Sequence, residues 1–382
     1  MRGVLLLLCV AAVACSHPGA ASSVRAGDVQ KEVVNTAWWP PGAEKTSESV
    51  GIVSHGFVFM TGMMELKPTL GGMLRAELSD VRDIARAGNS SLEDLVDCLV
   101  NAPAGRAAEV RAAFLKALPR AARPALTVVE LAGEYGTYFP TSAACTAALP
   151  ATSPAHVQVQ MKVSGASGVL AHGLLHMESR GSVSQSLQAL GRLVRSAGGR
   201  GLSDLLDCSV FVREIRDAAA VRAAFHTACE NAPPTLTLVQ AGLEDTDAVA
   251  LRCVAAVPST PGLIRQSDVV TDGRFAFVSG QYSQASDGRE ALSAIGAQLR
   301  KLGLSLSDVV SCWFFIKDHN QVSELFSGFF DFFNKKHPPP PARDELEAVL
   351  ECSTCAVLAK CVAALPVKRQ DPLTPAYDSE FV

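Results

Sequence analysis

Cys145-Thr146-Ala147-Ala148-Leu149-Pro150 returns as Cys253-Val254-Ala255-Ala256-Val257-Pro258 and again as Cys361-Val362-Ala363-Ala364-Leu365-Pro366, with successive prolines 108 residues apart. Upstream of each ending a second motif recurs: Leu92-Glu93-Asp94-Leu95-Val96-Asp97-Cys98, Leu202-Ser203-Asp204-Leu205-Leu206-Asp207-Cys208, and Leu306-Ser307-Asp308-Val309-Val310-Ser311-Cys312. Between the two, Val110-Arg111-Ala112-Ala113-Phe114 is repeated unchanged as Val221 to Phe225. Motifs that keep their order and spacing mark tandem copies. The period is too long for a solenoid unit, and each copy is long enough to close a core of its own.

Each copy reads alike. An apolar strand (Gly56 to Met60; Arg274 to Val278) precedes a helix whose apolar residues fall at three- and four-residue steps, as in Leu187, Leu190, Leu193 and Val194, or Leu292, Ile295, Leu299 and Leu302. Gly88, Gly198 and Gly303 stand where helix C-caps are expected. The Asp-x-x-x-Cys motif opens a second strand, a second helix follows with Phe114, Phe225 or Phe326 on its face, and two strands close the unit. The fold class is α+β: three tandem domains, each a mixed sheet with two helices on one face. The bare face of each sheet needs cover, and three equivalent copies supply it as an intramolecular pseudotrimer. Such a chain is expected to be a monomer.

The boundaries follow: a signal peptide at 1–23, a linker at 24–44, copies at 45–150, 151–258 and 259–367, and a polar tail at 368–382. Arg2 and the apolar run Val4 to Ala14 have secretory-signal form, so a secreted protein is expected; the ending Ala12-Val13-Ala14-Cys15 offers lipoprotein anchoring at Cys15 as the alternative. No later stretch is long and apolar enough to span a bilayer, so no membrane contact is expected of the mature form. A net charge of -4 with 6% aromatic residues disfavours nucleic acid as a partner.

The third copy resembles the RidA/YjgF family of enamine/imine deaminases, which have a chorismate-mutase-like fold. The likeness rests on Val278-Ser279-Gly280-Gln281, on Asp308-Val309-Val310 with Phe315-Ile316-Lys317-Asp318, and on Pro341-Ala342-Arg343, and with the weaker copies it covers about 45 to 367. It implies a homotrimer-like assembly with ligand clefts between units, needing no cofactor, and a small carboxylate or imino-acid metabolite as partner. Arg343 is then the carboxylate anchor, by a bidentate pair, with Ser279 and Gly280 orienting substrate and water in the same cleft. Leu126 and Leu236 replace this arginine in the other copies, leaving at most one competent cleft. Asp344 follows Arg343 and offers it a competing carboxylate. The Ser-Gly pair becomes Thr61-Gly62 in the first copy and His172-Gly173 in the second. The family's last-strand glutamate aligns with Ala144, Arg252 and Lys360, and its helix asparagine with Arg111, Arg222 and Phe326.

Two functions therefore compete: a 2-iminobutanoate/2-iminopropanoate deaminase-like hydrolase with Arg343, Ser279 and Gly280 as its catalytic set, or a catalytically degenerate small-metabolite-binding or scaffold protein. No metal site is expected, because His172, His176 and Glu178 lack a further ligand and Cys352-Ser353-Thr354-Cys355 is a lone C-x-x-C. Nine cysteines lie outside the leader. Those of the repeated motifs read as small buried packing residues, with disulfides between strands of one copy as the alternative. Asn89-Ser90-Ser91 is a glycosylation sequon if the route is eukaryotic.

Overall fold

Each Leu-x-Asp segment forms one tight helical turn that feeds an eight-residue strand buried at every position: β4 (Leu95–Ala102), β10 (Leu205–Val212) and β16 (Val309–Ile316). A strand buried along its whole length is covered on both faces. Around these strands the computed structural model describes residues 31–36, 49–63, 67–131, 141–150, 158–230, 232–244, 246–258, 263–266 and 268–366. The expected leader, Cys15 and the tail from Lys368 lie outside the described residues.

The first unit also holds β1 (Glu32–Val33), β2 (Gly51–Ser54), β3 (Phe57–Met60), α1 (Leu70–Ala87), α2 (Ala107–Ala117), β5 (Ala125–Glu130) and β6 (Ser142–Ala148). The second holds β7 (Val159–Val163), β8 (Ala166–Ala171), β9 (Leu174–Gly181), α3 (Val183–Ser196), α4 (Ala218–Ala228), β11 (Thr235–Gln240) and β12 (Val249–Ala256). The third holds β13 (Ile264–Gln266), β14 (Val269–Thr271), β15 (Phe275–Ser283), α5 (Arg289–Arg300), α6 (Val322–Lys336), β17 (Ala342–Glu347), β18 (Val349–Leu350) and β19 (Val357–Ala364). The first sheet runs β1-β2-β3-β6-β4-β5 and the third β13-β14-β15-β19-β16-β17. Only the strands joined through the second helix are parallel, as a crossover connection requires. The second sheet runs β18-β11-β10-β12-β9-β8-β7, so a strand of the third unit extends the sheet of the second.

Cys98 faces Cys145, Cys208 faces Cys253, and Cys312 faces Cys361 across neighbouring antiparallel strands. Their Cα atoms are 4.1, 4.2 and 4.1 Å apart and all three pairs are disulfide-bonded, as are Cys352 and Cys355. The expectation of plain packing is thus corrected to its alternative: these cysteines are buried and bonded. Each long-range bridge is worth roughly 4 kcal/mol on chain-entropy grounds. Cys229 is a free thiol, buried, and burial pushes it up to about 11.

One further alignment changes. Gly88 is the C-cap of α1 as expected, and the left-handed residue of that turn is Asn89 (φ 62°), where Gly198 and Gly303 take that conformation in the other units. The buried counterpart of Phe114 and Phe225 is Phe329; Phe326 occupies the Arg111 and Arg222 position.

The bare sheet faces close on one another. At one end Ile52, Phe57, Leu174, Leu206, Phe275 and Val310, drawn from all three units, form a single cluster. At the other end Leu99, Val129, Phe211, Val239, Trp313 and Phe315 do the same. A charged belt lies between them. Arg252 of the second unit makes a two-pronged ion pair with Asp97 of the first, and its guanidinium stacks 5.0 Å from the Trp313 ring of the third. Lys360 of the third unit bonds Asp207 (2.5 Å) and Ser209 (2.9 Å) of the second. Strand register makes Ser311 and Ala144 the corresponding pair at the third seam, and it carries no charge. Backbone bonds hold that seam instead: Gly62 N–H donates to Arg343 O (3.0 Å), Arg343 N–H to Thr61 Oγ1 (3.2 Å), and Ser49 Oγ to Pro340 O (2.6 Å). Lys31 donates to Pro339 O (2.7 Å) there, and burial lowers its ammonium to about 7.

Two outcomes are expected. Arg252→Met leaves Asp97 charged and buried and should cost about 3–5 kcal/mol in urea unfolding. Adding Asp97→Ser and replacing the methionine by alanine copies the neutral seam and should recover most of that loss. Second, His176 is buried against Phe57 and burial lowers it to about 4. The unfolded chain therefore takes up this proton first as pH falls from about 6.5, and stability drops by roughly 3 kcal/mol by pH 4. His176→Phe, which copies Phe59 and Phe277 at the matching positions, should remove that part of the acid slope in melts recorded across the window.

Candidate functional site

Residue pairing opposite the last strand decides which positions correspond. Phe57, Leu174 and Phe275 face Ala148, Ala256 and Ala364. Counting onward, β15 bulges at Ser279-Gly280 opposite Lys360, and the first unit bulges likewise at Thr61-Gly62 opposite Ala144. The second unit runs through without a bulge, with Glu178 opposite Arg252. The expectation that His172-Gly173 replaces the Ser-Gly pair is corrected: both residues sit in the β8–β9 turn, matching His55-Gly56. His172 bonds Leu149 O (3.0 Å) and Glu178 accepts from Ser167 (3.0 Å), while His176 packs in the barrel, so the three do not assemble. No metal-holding cluster occurs among the described residues.

The expected set of Arg343, Ser279 and Gly280 is divided between two seams. Arg343 lies on β17 against Thr61 and Gly62 of the first unit. Gly280 N–H donates to Thr237 Oγ1 of the second unit (3.0 Å). Strands β15 and β17 are three places apart in the sheet, roughly 14 Å at the usual strand spacing. Sequence reading joined these residues because they share one copy; folding joins each to a different neighbour.

Arg343 is buried, and its guanidinium carbon lies 3.6 Å from the Phe326 ring centre, with Phe329 and Phe330 at 5.2 and 5.7 Å. Glu345, two residues on and on the same strand face, is 3.9 Å from Nη1. Asp344 points to the opposite face, so the carboxylate expected to compete for the guanidinium is Glu345 and not Asp344. In the other two units arginine and apolar residue trade places. Arg111 on α2 donates to Leu126 O (2.7 Å), so a helix guanidinium lies over the strand leucine. Arg222 holds the matching position on α4, and Leu236 pairs with Cys208 as Leu126 does with Cys98. A guanidinium is therefore kept in every unit, from the helix in two and from the strand in the third. Reading the strand position alone missed this; reading positions 111, 222 and 326 together with 126, 236 and 343 reveals an exchange.

At two seams that guanidinium is occupied. Arg111 pairs with Glu244 of the second unit, which also binds Arg180. Arg222 pairs with Glu351 of the third, its Nε 3.2 Å from Oε1. Glu244 and Glu351 match one another in their units; the corresponding Glu134 lies outside the described residues. At the third seam lies a cavity of about 290 Å3, with Gly62, Asn101 and Ser142 on one side and Phe326, Asp344 and Glu347 on the other. It has two local causes. Asn101 stands where Phe211 and Phe315 fill the barrel, and Asp344 stands where Thr127 and Thr237 occur. A Cβ at Gly62 would overlap the Asp344 carboxylate, so only glycine leaves it room. Burial pushes the Asp344 carboxyl well above the usual carboxylate range.

No protein-family model and no curated protein matches the chain. Among solved structures, a chorismatase is similar with a TM-score of 0.51 at 13% identity, over 71% of this chain and 93% of its own. That likeness establishes a shared three-unit α+β fold. A member of the YjgF/YER057c/UK114 family from Mycobacterium tuberculosis is 22% identical over 26% of this chain and 86% of its own, TM-score 0.25. TdcF of E. coli with bound serine is 21% identical over 28% of this chain and 93% of its own, TM-score 0.25.

The exchange predicts a double-mutant cycle. Phe326→Arg alone sets a second guanidinium beside Arg343 and should destabilise by more than about 1 kcal/mol. Combining it with Arg343→Leu reproduces the other two units and should restore the melting temperature, giving a coupling of opposite sign to the single loss. Strictly additive effects would mean that the two side chains do not share one place.

Proposed function

We propose that this chain is a small-molecule-binding protein whose hydrolytic machinery is dismantled, the second of the two functions expected from sequence. The observation that carries this reading is that its own carboxylates occupy the guanidinium groups of two seams, Arg111 on Glu244 and Arg222 on Glu351. A substrate carboxylate would have to displace a neighbour tethered to the same chain, against a high effective concentration. The third seam keeps an open cavity, but the hydroxyl and amide of the Thr61-Gly62 pair are committed elsewhere. Thr61 Oγ1 donates to Ser49 O (2.6 Å) and accepts from Arg343 N–H, and Gly62 N–H is taken by Arg343 O. Neither is left to orient water on an imine. The inner faces already cover each other, so the chain works as a monomer, secreted if the leader acts as one.

The deaminase reading keeps one support: Arg343 is retained within the same seam as the cavity. The assay that separates the two readings is hydrolysis of 2-iminobutanoate generated in situ, followed as release of the 2-oxo acid. The expected result is no acceleration over buffer by the wild type. A rate raised more than tenfold and lost in Arg343→Ala would establish the hydrolase instead.

A further inference from the structure

We propose that the cavity between the first and third units takes a small protonated amine carrying a short apolar body. This rests on reading that cavity as a ligand site, and adds the class of ligand. Three oxygen atoms of its wall are buried without a hydrogen-bond partner: Asn101 Oδ1, Asp344 Oδ2 and Glu347 Oε2. Asn101 and Asp344 are only 3% and 6% exposed. Asn101 has already spent its amide on Ser142 Oγ (2.7 Å), which orients its oxygen as an acceptor. A buried acceptor left unpaired costs free energy, more so when it belongs to a carboxylate.

All three atoms accept hydrogen bonds, and none donates one when both carboxyls are ionised. The charged groups around them favour a cation. Asp344, Glu345 and Glu347 line the cavity; Arg343 lies 3.9 Å from Glu345 but does not itself line it. His319 is the one other titratable lining group, and burial lowers its pKa, which keeps it uncharged near neutrality. An ammonium carries three donors and one positive charge, matching three acceptors in an acidic wall. The remaining wall is apolar, with Leu131, Val322 and Phe326, and suits a hydrocarbon body and the aromatic stacking of a ring. The volume of about 290 Å3 lies at the small end of ligand cavities. The raised Asp344 carboxyl agrees: a bound cation would supply the charge that its burial lacks.

The pseudosymmetry offers substitutions that the fold already accommodates. Asp344→Thr copies Thr127 and Thr237, and Glu347→Gln copies Gln240 at the matching position. Calorimetric titration of the full chain with 2-phenylethylamine, with 3-phenylpropanoate and 2-oxobutanoate as carboxylate counterparts, is the test. The expected result is one amine bound per chain, at least tenfold weaker in Asp344→Thr, weaker again with Glu347→Gln added, with both variants melting near the wild type and neither carboxylate bound. Amine affinity unchanged in both variants would overturn the assignment. Binding of a carboxylate in place of the amine would overturn the ligand class while leaving a ligand cavity at this seam. Binding of none of the three would end both readings.

Discussion

A sheet with helices on one side has a second apolar face, and here nothing but two more such sheets covers it. The clusters around Phe57, Leu174 and Phe275 at one end, and around Leu99, Phe211 and Trp313 at the other, exist only when all three units are assembled. Everything else follows from that closure. It buries β4, β10 and β16 on both faces and brings α2 and α4 against the loop of the next unit. It also explains why β18 leaves its own sheet to extend that of the second unit.

Three nearly equal units in one chain could pack in either cyclic order, and the charged belt distinguishes them. Asp97 meets Arg252 and Asp207 meets Lys360, always a carboxylate of one unit with a cation of the next. A buried charge facing a neutral or like-charged partner would be strongly unfavourable, so the wrong order is penalised. The outer ring joins the same units with the charges reversed, Arg111 to Glu244 and Arg222 to Glu351. The inner ring is interrupted at the seam between the third unit and the first, where backbone bonds and Lys31 provide the hold. The uncharged inner pair and the acidic cavity thus lie at one seam, while the first seam keeps its ion pairs beside a wider cleft lined by Arg111, Leu126 and Glu178. Asn101, Asp344 and Phe326 are each the odd member of an otherwise matched trio.

The threefold repeat was legible because strands and helices are local. Period-two and period-3.6 patterns, the Leu-x-Asp turn and the Cys-x-Ala-Ala ending each describe a few consecutive residues whose fate is set by burial of one face. The same local reading placed Arg343, Ser279 and Gly280 together since they lie in one copy. It also took Leu126 and Leu236 for the loss of a guanidinium that the helix still supplies. The disulfides were half legible: cysteine at matched positions of two strands signals contact, but pairing needed the register that sets Cys98 against Cys145.

The sequence by itself determined three α+β units, their order, their buried strands and the residues that differ between them, because these depend on interactions within a turn or two of chain. Only the tertiary structure decided which unit each cleft residue faces, which carboxylates occupy Arg111 and Arg222, and where an unfilled acidic cavity remains. Those contacts join residues more than a hundred positions apart, as with Arg111 and Glu244 or Gly62 and Arg343. Their partners are chosen by how three sheets close around one axis, and no local pattern of residues encodes that geometry.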